Sequence, residues 1–124
     1  MIELHYLTEE EEQAIKVNIP WTRLDPEIRE LVMLFNKIAG IATLQSCAGH
    51  INLGENNSFI IDNAHITFRA TLERTERALY IAVPMCNIAD VSLRYFEDGT
   101  FWISVETDPA QKYKLYRFCE LMQS

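Results

Sequence analysis

A thiol and an imidazole stand three residues apart in the stretch Gln45-Ser46-Cys47-Ala48-Gly49-His50. The two groups do complementary chemistry. A thiolate is the form of cysteine that attacks or ligates, and a neighbouring imidazole can take or return its proton near neutral pH. Cys47 and His50 are therefore the candidate catalytic pair. Ser46, Gly49 and the backbone N–H groups around them are candidates for positioning an anion. His65 and Arg69 share one side of a later alternating run, with Thr67 between them. If that run lies beside the Cys47 strand, both side chains line the same surface. A structural reading competes, because free cysteines are commonly packed and inert and a histidine here could simply cap the loop.

Cys-x-x-His also supplies two ligands at a spacing found in zinc sites, with His65 as a third and His5 or a carboxylate as a fourth. No second Cys-x-x-Cys or histidine pair accompanies it, so no metal site is expected. Gly-rich phosphate loops, the dinucleotide fingerprint, Ser-x-x-Lys and Gly-x-Ser-x-Gly are all missing, and no cofactor is specified.

The elements that must position these residues follow from periodicity and punctuation. Met1–Tyr6 alternates and reads as a short strand or extended lead-in. Thr8 and Glu11 have capping-box form at the start of a short helix, which stops before Asn18 because Pro20 disfavours helical geometry at Ile19. The acidic run of that helix reads as a solvated N-terminal turn. Asp25-Pro26 opens a second helix with the stripe Ile28, Leu31, Val32, Phe35, Ile38 and Ala39, closed by Gly40. Ile41–Cys47 reads as a strand whose strict alternation puts Thr43, Gln45 and Cys47 on one face. Residues 52–58 read as a polar loop. Phe59–Ile61 and Ala64–Ala70 are strand-like, and Leu72 to about Val83 is a helix with the stripe Leu72, Thr75, Leu79, Ala82 and Val83. Val91–Phe96 and Phe101–Thr107 flank Asp98-Gly99 as a hairpin. Trp102 falls on the polar side of its strand, free to stack on a planar ligand or to close over the sheet, and Arg94 is placed to pair with Glu106. Asp108-Pro109 starts a last helix that buries Leu115, Phe118, Cys119 and Met122. Cys86 and Cys119 read as core residues.

This order predicts one α+β domain over residues 1–124, a two-layer sandwich in which helices pack on one face of a mainly antiparallel sheet. The chain of 124 residues is 48% hydrophobic and 23% charged, with a net charge of −7. That balance disfavours a general nucleic-acid partner, whose affinity comes from basic residues displacing counterions. The three cysteines imply no disulfide framework. With no secretory leader and no membrane-length apolar run, a reduced cytoplasmic setting is the simplest reading.

The helix ending in glycine, the Thr43-containing strand and then Ser46-Cys47-Ala48-Gly49 resemble the Ser-Cys-Ser-Gly-Arg segment of the wybutosine-synthesis methyltransferase family. His50 stands where that family has arginine. The Ser-Cys-x-Gly-His form is also similar to small bacterial and phage proteins. Members of the family modify a guanosine derivative in tRNA with S-adenosylmethionine. The resemblance spans roughly residues 28–70 and implies a shared α+β fold more than a shared activity, and cofactor use is not carried over from it. The first functional expectation is a site at the Cys47–His50 turn for a nucleotide-like or other small molecule. The alternative is a non-enzymatic interaction protein that forms a homo-oligomer through its strand edges or the Trp102 face.

Overall fold

The computed structural model describes residues 5–53, 59–81, 90–105 and 113–123, with residues 50–53 and 59–62 described by their backbone alone. Four strands form one antiparallel sheet in the order β1-β4-β6-β5, where β1 is Ile41–Cys47, β4 His65–Ala70, β5 Val91–Tyr95 and β6 Thr100–Val105. Between β1 and β4 the chain makes a separate two-stranded ribbon, β2 (His50–Leu53) with β3 (Phe59–Asp62). Residues 52 and 53, expected in a loop, are thus strand residues of that ribbon.

Helices α2 (Pro26–Asn36), α3 (Leu72–Tyr80) and α4 (Leu115–Gln123) cover one face of the sheet. The expected α+β sandwich is what the chain forms. Alternation explains which face is covered. Ile66 and Phe68 of β4 and Phe101, Ile103 and Val105 of β6 are fully buried, against Ile28, Phe35, Leu115, Phe118 and Met122 of the helices. Phe35 stacks on Phe118 with ring centroids 5.4 Å apart, and Phe68 on Phe101 at 5.0 Å. Burying side chains of this size stabilises the fold by about 1.5–3 kcal/mol each.

The capping signals are realised. Thr8 and Glu11 close a full capping box on α1 (Glu9–Val17), and Asp25 accepts from the Glu27 N–H ahead of Pro26. Glu12 departs from the expected solvated turn. Its Oε2 accepts from the Gly40 N–H at 2.8 Å and from Lys16 Nζ at 2.6 Å, which fastens α1 beside β1. α2 stops at Asn36, earlier than its apolar stripe suggested. Ile38 is buried but Ala39 is exposed, because residues 37–40 turn the chain into β1. Gly40 makes that turn at φ +90°, and an added Cβ there would press on Arg74 and Thr71 at 2.8 Å.

The phase of α3 also differs from expectation. Leu72 and Leu79 are exposed, and the buried side is Thr75, Ala78 and Ile81. Two arginines shift the helix. Arg74 donates to the carbonyls of Ala39 and Met122, and Arg77 to that of Leu121. They satisfy the last carbonyls of α4, which a helix leaves without intrahelical partners. α4 buries the four expected residues. The expectations for Met1–Leu4, residues 54–58, Ala82–Pro84, Cys86, Glu106–Thr107 and Asp108-Pro109 lie outside the described residues. Among the described residues no helix is long and apolar enough to cross a membrane.

Candidate functional site

The face of the sheet away from α2, α3 and α4 carries the reactive side chains, and a one-residue irregularity in β1 puts them there. Thr43 pairs with Phe68 but Gln45 pairs with Thr67, so Leu44 is an extra residue in β1. A bulge of this kind flips every following side chain to the other face. Ile41 and Thr43 therefore point toward the helices, whereas Gln45 and Cys47 point away from them. This corrects the expectation that Thr43, Gln45 and Cys47 share one face. Gln45 and Cys47 do join the His65–Thr67 face, and Thr43 does not.

The bulge is held from the helix side. Asn36 Nδ2 donates to Thr43 Oγ1 at 2.9 Å, and Asn36 Oδ1 accepts from the Thr43 N–H at 3.2 Å. The same Nδ2 donates to the Val32 carbonyl one turn back. One amide at the end of α2 thus satisfies both polar groups of a nearly buried threonine.

With that register, Cys47, His65, Ser104 and Ser92 form one row across all four strands, each directly opposite the next. The neighbouring row is Gln45, Thr67, Trp102 and Arg94. Directly opposed residues in an antiparallel pair have Cβ atoms about 4.5–5.5 Å apart. The rings of His65 and Trp102 stack diagonally between the rows, with centroids 4.1 Å apart and planes 9° from parallel. Thr67 and Ser104 occupy the other diagonal, and both are buried. Trp102 is half-buried and His65 covers one side of its ring, so of the two roles open to it, it takes the one packed against its own sheet. Arg94 stands opposite Trp102; its expected partner Glu106 lies outside the described residues.

Cys47 and His65 sit at the neck from which the β2–β3 ribbon departs and to which it returns. The Gly49 N–H donates to Cys47 Sγ at 3.4 Å, which fixes the sulfur and occupies a donor expected to serve an anion. Cys47 is half-buried rather than sealed in hydrocarbon. Cys119 differs: burial pushes its thiol up to about 12, and it is a core residue. His65 Nδ1 lies 3.1 Å from the Asn63 carbonyl oxygen.

At the bulge a cleft of about 280 Å³ opens beside His65. Its polar wall is Thr43, Gln45, Ser46 and His65; its apolar wall is Ile19, Pro20, Leu24, Val32 and Leu44. Ser46 is half-buried, opposite Ile66, and reaches this cleft from the helix side. Arg69 lies apart, four residues from His65 along β4, about 13 Å at strand rise. It faces Thr100, and its Nε is buried without a partner among the described residues. His50 begins β2, and its side chain lies outside the described residues. Among the described residues no cluster of three or more His, Cys, Asp or Glu could hold a metal ion. His5 Nε2 donates to Glu11 Oε2 at 2.8 Å instead.

Comparison with known proteins adds little chemistry. No family model matches the chain, and no curated protein does. Among solved structures the chain is similar to the PH1069 protein from Pyrococcus horikoshii, at 14% identity and a TM-score of 0.41, over 93% of this chain and 90% of that one.

Sequence reading missed Leu44 as the bulged residue, the Ile19–Leu24 wall of the cleft, and Ser92 and Ser104. The bulge leaves a trace in hindsight. Unbroken alternation from Ile41 would carry the polar Gln45 onto the same helix-facing side as Ile41, and the extra residue at Leu44 turns Gln45 to the other face.

Proposed function

We propose that the open sheet face around Cys47, His65 and Trp102 binds a small planar molecule of nucleotide-like character, with Cys47 as the nucleophilic or ligating group and His65 as its acid–base partner. The observation that carries this is the row Cys47–His65–Ser104–Ser92, in register on a face that none of α2, α3 and α4 covers, with Cys47, His65 and Ser92 half-buried and Ser104 buried between them. A face serving only as a wet exterior has no need of a thiol opposite an imidazole at the mouth of a cleft. The net charge of −7 favours a free small molecule over a whole nucleic acid.

A second reading has its own observation. Trp21 and Met33 are exposed beside Pro26, Arg29 and Glu30 in an apolar hollow of about 480 Å³ on the outer side of α2. Exposed tryptophan and methionine suit a protein contact, as the homo-oligomer alternative requires. Alkylation decides between the two. Iodoacetamide labelling of Cys47, mapped by peptide mass spectrometry, is slowed by His65→Phe if the two side chains act together. An unchanged labelling rate, together with a concentration-dependent mass that Trp21→Ser abolishes, would favour the interaction protein.

A further inference from the structure

We infer that the cleft at the β1 bulge selects an uncharged planar heterocycle presenting a ring N–H, and that His65 Nε2 is the acceptor that reads it. The inference rests on the reading of the open face as a ligand site and names the class of ligand. It follows from which proton His65 holds. A carbonyl oxygen only accepts, so the 3.1 Å contact between Nδ1 and the Asn63 carbonyl places the proton of the neutral ring on Nδ1. Nε2 is then left with a lone pair, and it has no partner among the described residues. The stack on Trp102 holds the ring plane, and the contact of Nδ1 with the Asn63 carbonyl sets the edge on which Nε2 lies. An acceptor held in one direction at the edge of a cleft selects for a donor, because a ligand lacking one leaves the lone pair unsatisfied.

The remaining walls narrow the class. Among the described residues no Lys, Arg, Asp or Glu lines the cleft, so none of them offsets the desolvation of a phosphate or a carboxylate. Its volume of about 280 Å³ lies at the small end for ligand sites, room for one ring system and not for a dinucleotide. Thr43 Oγ1 already accepts from Asn36, which leaves Gln45 and Ser46 to meet the other polar edge of a ring.

Indole and 1-methylindole test this, since they differ in a single N–H donor and indole has no strong acceptor. Both are titrated into the full-length protein labelled with nitrogen-15, and the amide shifts of Thr43, Gln45, Ser46 and His65 are followed. Indole is expected to bind about five- to tenfold more tightly than its methylated form. His65→Phe keeps a flat ring against Trp102 but removes Nε2, and it should bring the ratio of the two probes to about one. Equal binding of the two probes to the natural protein overturns the acceptor role even though the face is occupied. An unchanged ratio in His65→Phe does the same. If neither probe moves those amides while shifts appear elsewhere or nowhere, both this inference and the ligand-site reading fall. Should His65→Phe not fold, the probe ratio in the natural protein decides alone.

Discussion

Replacing Asn36 by alanine should both destabilise the protein and disturb the site, although Asn36 itself lies on the helix side of the sheet. The side chain makes two hydrogen bonds to Thr43, at 2.9 and 3.2 Å, and Thr43 is only 7% exposed. Alanine leaves the Thr43 N–H unpaired and takes the donor from its hydroxyl. A buried polar group stripped of its partner costs about 1–3 kcal/mol, so the expected loss is about 2–4 kcal/mol for the pair. In urea that is a fall in midpoint of about 1–2 M with little change in slope. Asn36→Asp keeps the acceptor for the N–H, and the threonine hydroxyl can turn to donate to it, so the loss should be about 1 kcal/mol. The second readout is local. Once the bulge is free to slip, the amide resonances of Gln45, Ser46, Cys47 and His65 should shift more than those of the distant Asp98–Thr100 turn. A midpoint within 0.5 kcal/mol of the natural protein, with those four resonances unmoved, would refute the idea that this amide holds the register of β1.

Two further perturbations probe the scaffold. Burial raises the Cys119 thiol from 9.0 to about 12, so the folded state holds a proton that the unfolded chain releases first. The associated stability is fully present below pH 9 and is lost as pH rises toward 12, by at most about 1.4 kcal/mol per pH unit. Cys119→Ala should flatten the alkaline limb of a stability–pH curve measured by urea unfolding; an equally steep limb would show that other groups dominate it. Gly99 turns the β5–β6 hairpin at φ +87°, and an added Cβ would run into the carbonyl of His5. Gly99→Ala should therefore cost about 2 kcal/mol or more, seen as a lowered thermal midpoint, whereas a change below 0.5 kcal/mol would mean that the His5 segment yields freely.

Much of the scaffold was legible because its signals are local. Thr8 with Glu11, Asp25 before Pro26, Asp98-Gly99 and the Leu115–Met122 stripe each specify geometry within a few residues, and the two caps, the hairpin and the buried stripe are all present. The misreadings have nonlocal causes. The phase of α3 is set by Arg74 and Arg77 reaching residues 44–48 positions away, and no periodicity within the helix encodes that reach. The site was half legible. Cys47 was singled out by its chemistry and His65 by its place on a polar strand face, and the sheet register does bring them opposite each other. Strict alternation carried Thr43 to the wrong side, because a bulge depends on what the neighbouring strand and Asn36 can accommodate.

The β2–β3 ribbon leaves the main sheet at Cys47 and rejoins it at His65, residues that already face each other across the ladder. Its two stems therefore depart from almost the same point, like a side arm spliced into a hairpin whose legs are β1 and β4. Lengthening or trimming such an arm leaves the ladder between those legs in step and the helical layer untouched. Variants that differ only in the arm would inherit one foundation and could still discriminate among visitors to the neck, which makes this the place to engineer or to expect divergence.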